Sequence, residues 1–279
     1  MTGPAVRARD LVLGYGERRA LDRSSFEVPR AKVTAIIGPN GSGKSTLLSA
    51  IAGLIEPLAG ELEVLSGVGE PRRISYVLQT TKVNEALPVT VAEVVTMGRY
   101  SSAGLYRRLG PADRRAVLEA MERTGVVDLA RRHLQELSGG QRQRVFVAQG
   151  LAQDHDLLLL DEPLTAMDIT AAQAVDEVIH DEIGRGCTVV VTTHDLSEAQ
   201  IADHVLLLAG RVVASGPPES VLTAANLAAA YGPALLHWEE GRLLIDDAAH
   251  RPTEPRHVHR DRSIHPESSP TDLHGDHRA

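Results

Sequence analysis

Residues 38–46 read Gly38-Pro39-Asn40-Gly41-Ser42-Gly43-Lys44-Ser45-Thr46, and no other stretch of the 279 residues limits the fold as much. Glycines at this density let the backbone curl until successive N–H groups face one point, which makes a cradle for an anion. The run Val33 to Ile37 before it is aliphatic and of strand length. After it, Leu47, Leu48 and Ile51 recur at helical spacing, and Gly53 stops the pattern. A strand, a glycine turn and a helix in that order place the turn at a helix N-terminus, where the backbone dipole adds partial positive charge. The pattern Gly-x4-Gly-Lys-Ser would arise by chance in roughly one chain in a hundred of this length.

That pattern is the P-loop, or Walker A, signature. In it Lys44 reaches the outer phosphates of a nucleotide and Ser45 ligates Mg²⁺. A second element supports it. Leu157 to Leu160 are four consecutive leucines followed by Asp161 and Glu162, an aliphatic strand ending in carboxylates, which is the Walker B arrangement. Asp161 would then hold the Mg²⁺ shell and Glu162 would orient or activate the attacking water. Either carboxylate alone is weak, because many buried strands end in Asp; downstream of a P-loop the pair is informative.

Further short aliphatic bursts at 11–13, 26–28, 61–65, 74–78 and 187–192 read as strands, and 204–214 reads as a hairpin turning at Ala209-Gly210. Thr90 and Glu93 have capping-box spacing for a helix through Val94 and Val95. Another helix fits Pro111 to Gly125, with Pro near its start and Gly at its end, and a third begins at Gly139-Gly140. Strands alternating with helices predict a parallel α/β sheet. Aromatics are only 3% of the chain, so the core must rest on Leu, Val, Ile and Ala, as central parallel strands do.

Leu137-Ser138-Gly139-Gly140-Gln141 is a second anion-type turn at a helix start. With it the sequence resembles the ABC ATPase family over about residues 6–230. The resemblance implies an α/β P-loop NTPase fold of the ABC type, with an antiparallel β portion and a helical subdomain inserted near 85–140. It places the ATPase domain at 1–232; beyond a C-terminal extension at 233–249, residues 250–279 are rich in His, Pro, Arg, Asp and Ser with almost no aliphatics and read as a disordered tail. It implies ATP and Mg²⁺ as ligands, the ion held through Ser45, Gln79 and Asp161. Tyr15, in Gly14-Tyr15-Gly16, resembles the aromatic residue that stacks on adenine. Gln79 resembles the Q-loop glutamine, and His194, in Thr192-Thr193-His194-Asp195, the switch histidine at the γ-phosphate. Ser138, Gly139, Gly140, Gln141 and Asp168 would act in trans on ATP held by a second copy, which implies a homodimer closed by nucleotide. The chain departs from the family pattern at Leu78 (often Pro), Met167 (often Leu) and Ala148-Gln149-Gly150-Leu151 (often Ala-Arg-Ala-Leu). These changes spare every phosphate-contacting group.

The stretch Leu87 to Tyr100 is similar to that of zinc and manganese importer ATPases, which implies a metal cation as cargo, zinc ahead of manganese. The Gly98-Arg99 pair is shared with siderophore, haem and cobalamin importer ATPases, which keeps that alternative open. A soluble, non-transport ABC ATPase fits less well, because no heptad run lies between the P-loop and Ser138. The resemblance implies integral membrane permease subunits as partners, an extracytoplasmic metal-binding protein as an indirect one, and a place at the cytoplasmic face of the membrane. Formal net charge is −8, which argues against nucleic acid as a partner. No apolar run approaches the ~18 residues of a spanning helix, and the single cysteine, Cys187, excludes an intrachain disulfide. Six histidines fall in the last thirty residues, among them His257, His259, His274 and His277. Imidazoles there could bind zinc weakly; a solvated extension without a role fits at least as well, since no pair has i, i+4 spacing and no cysteine joins them.

Overall fold

A computed structural model describes residues 3–65, 73–79, 88–103, 108–164, 167, 169–232, 236–239 and 242–245. In chain order these form β1 (Pro4–Tyr15), β2 (Arg18–Pro29), β3 (Val33–Ile37), α1 (Lys44–Ile51), β4 (Ala59–Val64) and β5 (Ile74–Val77). There follow α2 (Val91–Ala103), α3 (Pro111–Arg123), α4 (Gly139–Leu151), β6 (Leu157–Asp161), α5 (Ile169–Gly184), β7 (Thr188–Thr193) and α6 (Leu196–Ile201). The described chain closes with β8 (His204–Leu208), β9 (Val212–Gly216), α7 (Pro218–Val221), α8 (Ala224–Tyr231), β10 (Leu236–Glu239) and β11 (Arg242–Ile245).

The central sheet has the order β5-β6-β7-β3-β8-β9. Its first five strands run parallel, and β9 returns antiparallel from β8, the hairpin expected from the sequence. A separate antiparallel sheet, β2-β1-β4, covers one face. Side chains alternate between two cores. Ile36, Leu157, Leu159, Val190 and Leu206 face Leu47, Leu48 and Ile51 of α1 and Leu11, Leu13 and Phe26 of the antiparallel sheet. Ile37, Leu158, Leu160, Val189 and Leu207 face Val94 and Val95 of α2, Val145 and Ala148 of α4, and Val175 and Val178 of α5. A strand buried on both faces must be aliphatic throughout, which is why Leu157–Leu160 carries no polar alternation. Each such leucine contributes roughly 1.5–3 kcal/mol by leaving water.

The helical stretch is held by close backbone approach and buried charge. Thr90 and Glu93 make the expected box: the Thr90 N–H donates to Glu93 Oε2 at 2.7 Å, and the Glu93 N–H donates to Thr90 Oγ1 at 3.3 Å. A Cβ at Gly98 would collide with the Gln149 carbonyl oxygen, so α2 crosses α4 backbone to backbone. The next residue, Arg99, is 8% exposed and reaches Asp113 Oδ1 (3.0 Å), Asp154 Oδ1 (2.8 Å) and the Ala152 carbonyl (2.8 Å). Gly98-Arg99 is therefore the pin that joins α2, α3 and the end of α4. Gly150, where the family often has alanine, lies against β5. A Cβ there would sit 2.5 Å from Val77 Cγ2, and the Ser75 hydroxyl donates to the Gly150 carbonyl at 2.9 Å.

Two expectations were too short. β1 begins at Pro4, well before Leu11, because its polar residues Arg7 and Arg9 pair with Glu63 and Glu61 across β4. The stretch after 232 holds the paired strands β10 and β11, in register Leu236↔Ile245 to Glu239↔Arg242, where the sequence pattern predicts no element.

Candidate functional site

Four neighbouring strands end together. In the sheet Val77 pairs with Leu160, Asp161 with Thr192, and Ile37 with Thr193. Gln79 after β5, Asp161 and Glu162 at the end of β6, His194 after β7 and the glycine loop after β3 are thus brought to one edge. Ligands of open α/β sheets bind outside the carboxyl ends of the strands.

The loop has the geometry its residues require. Gly43, the residue before α1, has φ 101°, and a Cβ there would lie 2.7 Å from the Ala20 carbonyl oxygen. At Gly38 a Cβ would collide with the Leu208 carbonyl. Lys44 is 7% exposed, and its ammonium donates to the carbonyls of Gly38 (2.7 Å) and Pro39 (3.2 Å), folded over the loop it belongs to. Ser42 is buried and its Oγ has no hydrogen-bond partner among the described residues. Gly41 and Ser45 are exposed, and Pro39, Asn40 and Thr46 complete the segment at the mouth of the cradle.

Asp161 is 3% exposed, and the Thr192 hydroxyl donates to its Oδ1 at 2.6 Å. The same Oγ1 accepts the Glu162 N–H at 2.9 Å. Thr192 therefore fixes both carboxylate-bearing residues, a role that a threonine at the end of an aliphatic strand did not announce. Glu162 adopts φ 47°, a left-handed conformation unusual for a non-glycine residue. Gln79 Nε2 donates to Glu162 Oε2 at 2.7 Å. Glu198 of α6, four residues after His194, also bears on this edge. Burial pushes the Glu198 carboxyl up to about 6; its bond with Thr193 opposes the rise, and Asp195, Asp176 and Glu162 add to it.

Tyr15 ends β1 with 58% of its surface exposed, open for stacking. Ser138 caps α4: its Oγ accepts the Gln141 N–H at 3.3 Å, and its own N–H donates to Gln141 Oε1 at 3.0 Å. Ser138 and Gly139 are exposed and Gly140 is half-buried, so this turn is open to solvent. Asp168 lies outside the described residues, as do His257, His259, His274 and His277.

A strand, a glycine loop and a helix at the head of a parallel sheet, beside a carboxylate-ended strand, define a P-loop nucleotide-binding protein. Residues 21–165 match the family model described as ABC transporter. The chain is 42% identical over 234 residues to the zinc transport system ATP-binding protein TroB of Treponema pallidum (strain Nichols), covering 83% of this chain and 88% of that protein. It is 37% identical over 230 residues to the manganese transport system ATP-binding protein MntB of Bacillus subtilis (strain 168), covering 81% and 92%. Among solved structures it is similar to the ATP-binding cassette MJ0796, a dimer in a post-hydrolysis state with ADP and Pi, at TM-score 0.66 and 26% identity over 76% of this chain and 98% of that one. The chain belongs to the ABC transporter family and is an ATP-binding, ATP-hydrolysing subunit of that kind. Among the described residues no helix is long and apolar enough to cross a membrane.

Proposed function

We propose that this chain is the ATPase of a metal-cation importer, with zinc as the cation. The observation that carries the ATPase part is the convergence of Gln79, Asp161, Glu162 and the glycine loop at one sheet edge, with Gln79 and Glu162 bonded at 2.7 Å. Lys44 turns from the loop carbonyls to the β- and γ-phosphates of ATP, and Tyr15 stacks on the adenine. A hard divalent cation takes oxygen donors. The exposed Ser45 hydroxyl and the Asp161 carboxylate, aimed by Thr192, are donors of that kind, with Gln79 beside them. Magnesium bound with the nucleotide would neutralise charge on the β- and γ-phosphate oxygens. Glu162 accepts the hydrogen bond of the attacking water, and His194 faces the γ-phosphate from the next strand. Ser138, Gly139, Gly140 and Gln141, with Asp168, close over ATP held by a second copy. The exposure of Ser138 and Gly139 in the single chain supports this reading.

The transport part is supported by the names of the relatives, zinc for one and manganese for another. A permease would dock at the cytoplasmic face through the helical stretch. There α2 exposes Met97 and Tyr100 one helical turn apart, 45% and 44% accessible, and Leu78 beside Gln79 is also exposed. An extracytoplasmic metal-binding protein would deliver the ion. Two measurements test this. Glu162→Gln should keep ATP affinity, trap a dimer and lower hydrolysis on the order of 10²-fold; near-normal turnover sinks the role of Glu162. In the complex reconstituted with its permease and binder, zinc should stimulate turnover more than manganese. Stimulation by manganese alone reassigns the cargo.

A further inference from the structure

The strands that carry the nucleotide edge at their carboxyl ends border a cavity of about 300 Å³ at their amino ends. Three side chains of metal-ligating chemistry meet there. His155 lies just before β6, Glu182 in the last turns of α5, and Cys187 just before β7. Their donor atoms all lie within 4.8 Å of one another. The side chains of His155 and Glu182 are each 5% exposed, and Cys187 is 4% exposed.

Hydrogen bonds orient the imidazole and the carboxylate toward each other, while the Cys187 thiol donates to the Thr188 carbonyl at 3.4 Å. A carbonyl only accepts, so His155 Nδ1, 2.8 Å from the Gln153 oxygen, carries its hydrogen. Nε2 is thereby aimed at Glu182 Oε2, 2.8 Å away. The other carboxylate oxygen, Oε1, faces Arg123 Nη2 at 2.7 Å. A hydrogen thus lies between Nε2 and Oε2, in the position a cation would take. We propose that His155 Nε2, Glu182 Oε2 and Cys187 Sγ form a second metal site, specific for a borderline divalent cation of the zinc class and separate from the nucleotide edge.

The donor set decides the class of ion. One imidazole nitrogen, one thiolate and one carboxylate suit zinc and its neighbours, whereas magnesium prefers oxygen alone. Tetrahedral bonds of about 2.0–2.3 Å place ligand atoms roughly 3.3–3.8 Å apart, so His155 and Glu182 need separate by less than about an ångström. Outer partners are already in place: a carbonyl on the far imidazole nitrogen and a guanidinium on the far carboxylate oxygen, the arrangement that holds ligands around metals. The other arginines of the cavity wall are each offset by an acid, Arg73 by Asp156 at 2.5 Å, Arg99 by Asp113 at 3.0 Å and Arg185 by Glu119 at 2.8 Å. The cavity leaves room for water as a fourth ligand. Loading displaces the thiol hydrogen, which leaves to solvent. The site does not depend on which cation the transporter carries.

Cobalt(II) is the probe. A cobalt–thiolate bond gives a near-ultraviolet charge-transfer absorption that imidazole and carboxylate ligands do not, and Cys187 is the single cysteine of the chain. Titrating the full-length protein should raise this absorption to the level of one thiolate ligand per chain, and zinc should abolish it. Cys187→Ser should remove it, and His155→Ala should weaken the apparent affinity at least ~10-fold, with ATP-analogue binding retained as the check on folding. Glu182→Gln serves in place of a His155 variant that does not fold. No absorption from the wild-type chain at millimolar cobalt, or an absorption indifferent to both His155→Ala and Glu182→Gln, overturns the site.

Discussion

The strands β5, β6 and β7 carry a polar cluster at each end, and the two are built on opposite rules. At the carboxyl ends Gln79 is exposed and Glu162 half-buried beside the buried Lys44 and Asp161, and the groups are bonded mostly within the loops that follow the strands: Lys44 to its own turn, Gln79 to Glu162, Thr192 to Asp161. At the amino ends two arginines with little exposure tie distant elements together: Arg99 to the buried Asp113 and the exposed Asp154, and Arg123 to the buried Glu182 and the exposed Asp181. The first arrangement leaves donors that a ligand can claim. The second makes the sheet and helices one packed body. Burial alone would raise the Glu182 carboxyl; the hydrogen bond and charge of His155, then those of Arg123, overcome it and hold Glu182 down to about 2.

Substitutions should separate the two ends. Arg99→Ala removes one partner of a buried pair and should cost about 3–5 kcal/mol of stability, read by denaturant unfolding, with little change in ATP affinity below the melting temperature. A loss of ATP binding at full stability would break the distinction. Glu162→Gln should do the reverse: the ~10²-fold drop in hydrolysis corresponds to about 2.7 kcal/mol of barrier, while the melting temperature stays within a few degrees. Gly150→Ala should destabilise by about 1–3 kcal/mol through overpacking against Val77, offset in part by up to ~1 kcal/mol of helix propensity. A gain in stability would show that β5 yields to the extra methyl. The smallest effect is in acid. A carboxyl held below its ordinary value of 4.5 stabilises the fold above that pH, and the contribution is lost as pH falls from 4.5 toward about 2. Glu182→Gln should flatten that limb of the stability–pH curve. An unchanged limb would mean that other carboxylates carry the acid response.

The same contrast explains what could be read from the sequence. The carboxyl-end cluster is assembled from short motifs, each legible where it stands: Gly38 to Thr46, Leu157 to Glu162, Thr192 to Asp195. Their convergence follows from parallel strands ending in register. The amino-end cluster has no local signature. Arg99 meets Asp154 across 55 residues, and His155 meets Glu182 across 27. Nothing about an arginine inside a helix or a histidine in a turn says which acid it will find. The two hydrogen bonds of the Thr192 hydroxyl have no local signature for the same reason, since its partners lie 30 and 31 residues away. The extent of β1 was missed because arginine-rich strand residues look like loop until their glutamate partners on β4 are known.

The left-handed backbone of Glu162 has a consequence for directed evolution. Holding a long L side chain in that conformation costs on the order of 1–3 kcal/mol, and glycine there would relieve it. A library sorted only for thermal resistance should therefore drift toward glycine at this position and shed turnover as it does so. The pressure that retains the carboxylate has to come from the work the chain performs, because tighter folding alone would let it go.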